Sequence, residues 1–299
     1  MSAPLSDIVV ARATPELPAN AGLWLLRHIR GDPLGLLGLS LVALVVFCGL
    51  FADWIAPYDP FKIDVPAMFS PPSAQHIMGT DNVGHDIFSR IIKGSQIALF
   101  VGVTSIAISL LVGLALGLVA GYGSRWIDNA LILLFDTIYS FPAVILGAVV
   151  MSIVGPSLQT LLFLVVVIQT PGYARLVRTA TLAKKNSEFI LAERSLGAGP
   201  LRILAIHILP NIVGPLFIIG SMDIPSVITL EAGLTYLGLG LPPPAPSWGR
   251  ILYEGYNSIF DAPWMVVAGG IPLIITTLGF TFLGESLRDM LDPKLRRMM

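Results

Sequence analysis

The sequence predicts an all-α integral membrane protein with six transmembrane helices. Of its 299 residues, 55% are apolar and 12% are charged, and the mean hydropathy is +0.80. Soluble domains carry about 25% charged residues, so this composition excludes an ordinary soluble fold. Long uncharged stretches recur along the chain, and each can cross a hydrocarbon core about 30 Å thick at a rise of about 1.5 Å per residue.

The apolar stretches divide the chain into four regions. A polar, Pro-interrupted lead with a short basic amphipathic stretch occupies residues 1–33, and residues 34–95 contain the first span and an outer loop. Residues 96–288 form a five-helix core that includes a long loop at 184–210, and residues 289–299 form a basic tail. The predicted spans are residues 34–52, 97–122, 129–154, 158–176, an interrupted fifth span that starts at 212, and residues 263–284.

The distribution of basic residues predicts the orientation of the chain. Of the 18 Lys and Arg residues, only Lys62, Arg90, Lys93 and Arg250 fall on the outer side of the predicted spans. Because Lys and Arg are enriched in cytoplasmic loops, both termini and the 184–210 loop are expected in the cytoplasm. The net charge of -1 leaves no basic face for a nucleic-acid partner.

Three carboxylates fall within the predicted spans: Asp136 in the third, and Asp223 and Glu231 in the fifth. A carboxylate in hydrocarbon costs at least about 2.5 kcal/mol, so each must face protein or water. Asp136 is expected to hold a neighbouring helix, with contact to a transported solute as the alternative. Pro215 and Pro225 interrupt the fifth span, and irregular backbone at membrane depth needs surrounding protein or a wet cavity. The fifth span is therefore expected to be irregular and to line a central interface.

The second span carries glycines at intervals of four residues. Gly113, Gly117 and Gly121 leave one face of the helix without side chains. Such a face allows another helix to approach closely, so we interpret it as a packing face and assign it no chemistry.

The 184–210 loop contains the most informative run of the sequence, LAERSLGAGPLRILAIHILPN at residues 191–211. Two short helical patterns meet at Gly197, Ala198 and Gly199, where the glycines permit a turn. Pro200 can then occupy the first turn of the second helix, where its missing amide hydrogen costs no hydrogen bond. The run predicts a helix, a bend and a second helix.

This run resembles the loop signature of the membrane subunits of binding-protein-dependent ABC importers. The signature has an Ala-rich start, a Gly and, thirteen residues later, the Pro of an Ile-x-Leu-Pro ending; Ala192, Gly197, Leu209 and Pro210 stand at those spacings. Two positions depart from it. Leu191 stands where the family usually has Glu, although Glu193 supplies an acid nearby, and His207 stands where it often has Ile.

The outer loop before the second span resembles the dipeptide, oligopeptide and nickel branch of the same family. That branch carries a Gly-Thr-Asp-x-x-Gly-Arg-Asp-x-x-Ser-Arg run, from which His85 departs. The Pro-rich run at 242–250 and the ending at 287–297 also resemble this branch. An alternative interpretation makes His76, Asp81, His85 and Asp86 metal ligands, but Asp and Gly are equally suited to a turn and a helix cap. The matching residues are Gly79, Thr80, Asp81, Gly84, Asp86, Ser89 and Arg90.

The resemblance, which covers about residues 24–297, implies a type I ABC importer permease with a cytoplasmic coupling-helix loop. It implies that the chain is no enzyme and binds no cofactor, since ATP and Mg²⁺ belong to separate ATPase subunits. The sequence agrees, because it contains no Gly-x-x-x-x-Gly-Lys-Ser/Thr phosphate loop. The implied partners are a second homologous permease, two ABC ATPase subunits, an external solute-binding protein and membrane lipid. The implied location is the bacterial inner membrane and the implied cargo a short peptide or related small solute.

Two other functions remain open from the residues. Asp136, Asp223 and Glu231 could form the relay of a proton- or ion-driven secondary transporter, although no convincing internal repeat accompanies them. A purely structural membrane scaffold is a further alternative. The 184–210 loop itself could be an amphipathic hairpin that touches only lipid headgroups.

Overall fold

A computed structural model of the chain describes residues 31–291, and within this range the regular structure is helical apart from one isolated bridge between Thr80 and Asp86. The predicted amphipathic stretch before residue 31 and the basic residues after Leu291 lie outside the described range. The helices are α1 (Pro33–Leu50), α2 (Ala52–Ile55), α3 (Ile87–Tyr122), α4 (Arg125–Tyr139), α5 (Ala143–Val154), α6 (Leu158–Lys185), α7 (Glu188–Ser195), α8 (Pro200–Arg202), α9 (Leu209–Tyr236), α10 (Trp248–Asn257) and α11 (Trp264–Leu291); a π-helical turn, Ile203–Ile208, joins α8 to α9, and a 3-10 turn, Val65–Ala67, lies in the outer loop.

The described helices agree with the predicted number of spans. Five of them, α1, α3, α6, α9 with the segment before it, and α11, are each long and apolar enough to cross a membrane. The pair α4 and α5 supplies a sixth when it is counted as one span. The all-α membrane fold expected from composition is confirmed for the described residues.

The predicted third span is broken into two helices. The axes of α4 and α5 differ by 86°. Pro142 explains the break, because a proline disfavours helical backbone in the residue before it and takes an extended conformation here, with φ -57° and ψ 130°. The span expected over residues 129–154 therefore consists of two helices.

The fifth span is more regular than expected. Helix α9 runs without interruption through Pro215 and Pro225, so the predicted irregular backbone within it is wrong. Each proline removes one backbone hydrogen bond, but buried packing at Leu216 and Val227 holds the helix in the bundle. The irregular backbone lies just before α9, in the π-helical turn Ile203–Ile208.

The second span begins about ten residues earlier than expected. Asp86 caps α3 by accepting a hydrogen bond from the Ser89 amide at 2.8 Å, so the outer-loop motif supplies the cap that Asp residues favour. The boundary drawn between residues 95 and 96 falls inside this helix. With 36 residues, α3 is about 54 Å long, so it must project beyond a bilayer core of about 30 Å.

The glycine face of α3 packs against α6, as the spacing indicated. A Cβ atom added at Gly113 would lie 2.6 Å from Tyr173 Cβ, and one at Gly117 would lie 2.5 Å from the Ala174 carbonyl oxygen. At Gly121 the nearest atom would be Thr181 Cβ at 2.7 Å. These contacts are too short for any side chain, so the close approach of the two helices requires glycine.

Replacing Gly117 with Ala should destabilise the bundle. The added methyl group would meet the α6 backbone, and overpacking of this kind costs about 1–3 kcal/mol. The measurement is the thermal unfolding midpoint of the purified chain in detergent, compared with Gly270→Ala, where an added Cβ has nothing within 4 Å. We expect a lower midpoint for Gly117→Ala and an unchanged one for Gly270→Ala. Equal midpoints would contradict the assigned helix contact.

Candidate coupling elbow and membrane-embedded polar residues

A two-armed segment, residues 187–209, protrudes where α3 and α6 end; we call it the elbow. Its first arm, α7, ends in a Schellman motif around Gly197, whose φ is +88°. The Ala198 amide donates to the Glu193 carbonyl oxygen and the Gly197 amide to the Arg194 carbonyl oxygen, both at 3.0 Å. This pattern favours glycine at the left-handed position. Gly197 is therefore required by its backbone conformation, since an added Cβ would meet nothing within 4 Å.

The second arm starts at Gly199, which has extended backbone, and continues through Pro200. Its π-helical turn leads directly into α9, so the second arm and the fifth span form one continuous helical segment. Pro210 lies in the first turn of α9, where it is exposed, and Leu209 is half-buried beside it. The predicted bend between two helices is present, at the predicted residues.

Side chains from the two arms meet at His207. Its ring packs edge-on against Phe189 with centroids 4.9 Å apart, and its Nε2 lies 3.7 Å from Glu193 Oε1. Below this contact, Ile190 of the first arm and Ile203 of the second are fully packed in the core. His207, which departs from the family pattern, and Glu193, the acid near the other departure at Leu191, are thus neighbours that link the arms.

The elbow and the end of α6 that precedes it both contact the end of α3. Lys185, the last residue of α6, donates a hydrogen bond to the Tyr122 carbonyl oxygen at 2.9 Å, and this charge suits the negative end of the helix dipole. The Arg194 guanidinium lies 5.3 Å from the centre of the Tyr122 ring. The elbow therefore has fixed contacts to α3 and continues directly into α9.

The tip of the elbow exposes large apolar side chains. Leu196 is 84% exposed and Leu201 is 82% exposed, on opposite sides of the bend. Ala192 is exposed on the first arm and Ala198 is half-buried at the bend. Exposed leucines on a protruding segment are typical of a surface that another protein or a membrane covers.

Two arginines of α6 hold α4. Arg178 donates to both carboxylate oxygens of Asp128, at 2.5 and 2.7 Å. Arg175 donates to Asp136 Oδ1 at 2.5 Å, and its guanidinium lies 4.8 Å from the centre of the Tyr139 ring. Asp136 therefore has an interhelical partner, as the sequence favoured, and it is also largely open on this chain's surface.

Asp223 of α9 faces the same helices. The Tyr173 hydroxyl donates to Asp223 Oδ2 at 2.8 Å and joins α6 to α9. Sequence reasoning missed Arg175, Tyr139 and Tyr173 as companions of the carboxylates. The available signal was the position of Arg175 inside an apolar helix, where a charge needs a partner.

Glu231 belongs to a separate, buried network. Its Oε1 accepts hydrogen bonds from Thr235 at 2.9 Å and from Ser247 at 2.8 Å. Ser247 immediately precedes α10, so the contact joins the Pro-rich run at 242–250 to the end of α9. The hydrogen bonds of the described residues do not join Glu231 to Asp136 or Asp223 into the relay that was considered.

The outer-loop motif forms an ion-pair network. Arg90 contacts the buried Asp81 and Glu254 of α10, and His76 and His85 each contact one carboxylate of the motif. Among residues 31–291, no group of three or more His, Cys, Asp and Glu side chains has the arrangement of a metal site. The motif carboxylates bond to the turn and to the first turn of α3. The His contacts are His85 Nδ1 to Asp81 at 2.8 Å and His76 Nδ1 to Asp86 at 2.9 Å.

The bundle with its elbow defines a permease of the type I importer class. Its fold is similar to a chain of the MetNI methionine ABC transporter in inward-facing conformations, with a TM-score of 0.56 and 20% identity; the match covers 68% of this chain and 96% of that one. The chain belongs to the family described as binding-protein-dependent transport system inner membrane component, matched over residues 113–297. Residues 23–72 match the N-terminal TM domain of oligopeptide transport permease C.

Curated relatives cover most of the chain. The Di/tripeptide transport system permease protein DppC of Pseudomonas aeruginosa is 36% identical over 87% of this chain and 88% of its own length. The Dipeptide transport system permease protein DppC of Haemophilus influenzae is 35% identical, covering 95% and 97%. The Glutathione transport system permease protein GsiD of Escherichia coli is 37% identical, covering 90% and 89%. The resemblance inferred from the loop motifs is confirmed.

Substituting Gly197 with Ala should loosen the cap of the first arm. A side chain in left-handed backbone costs about 1–2 kcal/mol, so the Ala198 amide should exchange its hydrogen roughly fivefold faster or more. Hydrogen–deuterium exchange by mass spectrometry measures this directly. Gly199→Ala is the matched control, because Gly199 has φ -73° and open space at its Cβ. Similar exchange in both variants would contradict the assigned cap.

Proposed function

We propose that this chain is the permease subunit of an ATP-driven importer that moves short peptides, or a related small solute, across the bacterial inner membrane. Its relatives are named for dipeptide, di/tripeptide and glutathione transport. In this proposal a second homologous permease completes the pathway and an external solute-binding protein delivers the cargo. ATP and Mg²⁺ are bound by two separate ATPase subunits, and this chain supplies no cofactor site and catalyses no reaction.

The elbow is the proposed docking site for an ATPase subunit, and its exposed tip is the observation that carries the proposal. Leu196 and Leu201 protrude into the aqueous phase, where burial of each would release about 1.5–3 kcal/mol. The adjoining Arg194 and Arg202 supply charge at the rim. The enrichment of Lys and Arg on this side supports a cytoplasmic elbow and cytoplasmic termini.

The proposed mechanism is alternating access driven through the elbow. ATP binding brings the two ATPase subunits together, and each displaces the elbow that it holds. The second arm continues into α9 without a loop, so displacement of the elbow moves α9 with it. Packed interfaces switch between discrete arrangements because they are bistable and resist gradual deformation. Asp136 and Asp223 are proposed to face the transport pathway, whereas Glu231 holds the Pro-rich run before α10 in place.

Energy dependence of uptake tests the proposed function. The complete complex, reconstituted in vesicles with ATP inside and the solute-binding protein outside, should take up the dipeptide Ala-Ala only while ATP is hydrolysed, and collapsing the proton gradient should leave the rate unchanged. Uptake that continues when ATP hydrolysis is blocked with vanadate, and that stops with the proton gradient, would establish the secondary-transporter alternative. Normal uptake by cells that lack the chain would establish a structural scaffold.

Charged substitutions at the elbow tip should release the ATPase subunits. Leu196→Asp and Leu201→Asp each place a carboxylate in the proposed apolar contact, and burying it unpaired costs several kcal/mol. We expect at least tenfold less ATPase subunit to co-purify with either variant. Phe260→Asp is the control, since Phe260 is 99% exposed near α10 at the opposite end of the bundle. Full co-purification with both elbow variants would contradict docking at this surface.

A further inference from the structure

The side chains of the Arg175–Asp136 ion pair are unusually exposed for a pair so far from the helix ends. The side chains are 38% and 59% exposed on this chain. Arg175 lies ten residues before the end of α6 and Asp136 eleven residues after the start of α4, which is about 15 Å along each helix at 1.5 Å per residue. Because charges facing hydrocarbon at such depth are costly, this pair must face water or protein.

The neighbouring Arg178–Asp128 pair joins the same two helices and serves as a comparison, since its role is structural. Its side chains are 24% and 15% exposed, and the guanidinium uses two donors on the two carboxylate oxygens. Arg175 instead makes a single hydrogen bond to Asp136. A guanidinium has five N–H donors, so Arg175 can bind a second carboxylate without releasing Asp136.

Asp223 adds a second anionic group near this pair, since Arg175 and Asp223 both interact electrostatically with Tyr139. It is half-buried and accepts a hydrogen bond from the Tyr173 hydroxyl, which is a neutral donor. The Tyr139 ring lies against Arg175, and its hydroxyl lies beside Gly172 of α6. The cluster of Arg175, Asp136, Asp223, Tyr139 and Tyr173 therefore holds one guanidinium and two carboxylates, so it can accept an additional cation.

The break in the third span lies at the same level. Tyr139 ends α4, and Ser140 caps it by donating its hydroxyl to the Asp136 carbonyl oxygen at 2.8 Å. Helices that break at membrane depth require a protein or aqueous surrounding and accompany solute sites in transporters. The helix break and the exposed Arg175–Asp136 pair are two separate observations. Each requires that this face of the helices contact water or protein.

We propose that this cluster is a membrane-embedded binding site for a zwitterionic solute with a free ammonium and a free carboxylate. Asp223 binds the ammonium, and the unused donors of Arg175 bind the carboxylate. Charge-assisted hydrogen bonds of this type are short and strong, and the two opposite charges select solutes that carry both ends. The inference rests on the proposed function and adds the residues and the chemistry that recognise the cargo.

Uptake by permease variants tests the site. The complete complex is assayed with Ala-Ala, with N-acetyl-Ala-Ala and with Ala-Ala amide, and the rate is expressed per assembled complex. Asp223→Asn and Arg175→Gln should each lower Ala-Ala uptake at least tenfold, whereas Asp223→Glu and Arg175→Lys, which keep the charge, should restore most of it. Asp223→Asn should also reduce the preference for Ala-Ala over its N-acetyl derivative.

The Arg178→Gln variant separates recognition from helix packing. It should lower the thermal unfolding midpoint and the yield of complex but leave uptake per assembled complex close to that of the wild type. The proposal is overturned if Arg175→Gln behaves like Arg178→Gln, if it acts only by releasing the second permease, or if Asp223→Asn transports normally. If the wild type does not take up Ala-Ala with ATP, the proposed function is wrong. If the wild type takes it up and only the variants behave differently from the expectation, the proposed site alone is wrong.

Discussion

The close packing of α3 against α6 is the constraint on which the rest of the structure depends. Gly113 and Gly117 bring the two backbones into direct contact. At one end of this contact, Lys185 reaches the last carbonyl groups of α3 and the elbow emerges from a fixed base. Further along it, Arg175 and Arg178 stand in register with the carboxylates of α4. A side chain between the helices would shift both the elbow and these charges.

The charged groups of the bundle divide into two kinds according to their surroundings. Groups that are largely buried and make two hydrogen bonds hold elements together, as Arg178 holds α4 and Glu231 holds the Pro-rich run before α10. Arg175 and Asp136 are also paired, but they remain open to the surface of this chain. Since both kinds occur in apolar segments, sequence position does not distinguish them. The two kinds differ in the exposure of their side chains and in how many of their hydrogen-bond donors remain unused.

Composition and motif spacing predicted the membrane fold, the helix-packing glycines and the bend at Gly197, because each depends on local residue type. The same local reasoning failed where tertiary contacts decide. Pro142 breaks its span, whereas Pro215 and Pro225 leave α9 continuous. The presence of a proline therefore does not by itself predict whether a helix breaks, because the surrounding packing also decides. The partners of Asp136 and Asp223 lie on another helix, so no pattern along the chain could pair them.

The central claim is that the elbow moves as one body with the end of α3 when nucleotide binds to the partner subunits. Distance measurement by double electron–electron resonance tests it in the complete complex. The spin labels occupy two exposed positions of this chain, Ala192 in the elbow and Trp126 in the first turn of α4, four residues beyond the end of α3. We expect the distance distribution between these labels to be the same with and without ATP, while distances between the elbows of the two permeases shorten on ATP binding. A shift of the Ala192–Trp126 distribution with nucleotide would contradict the claim.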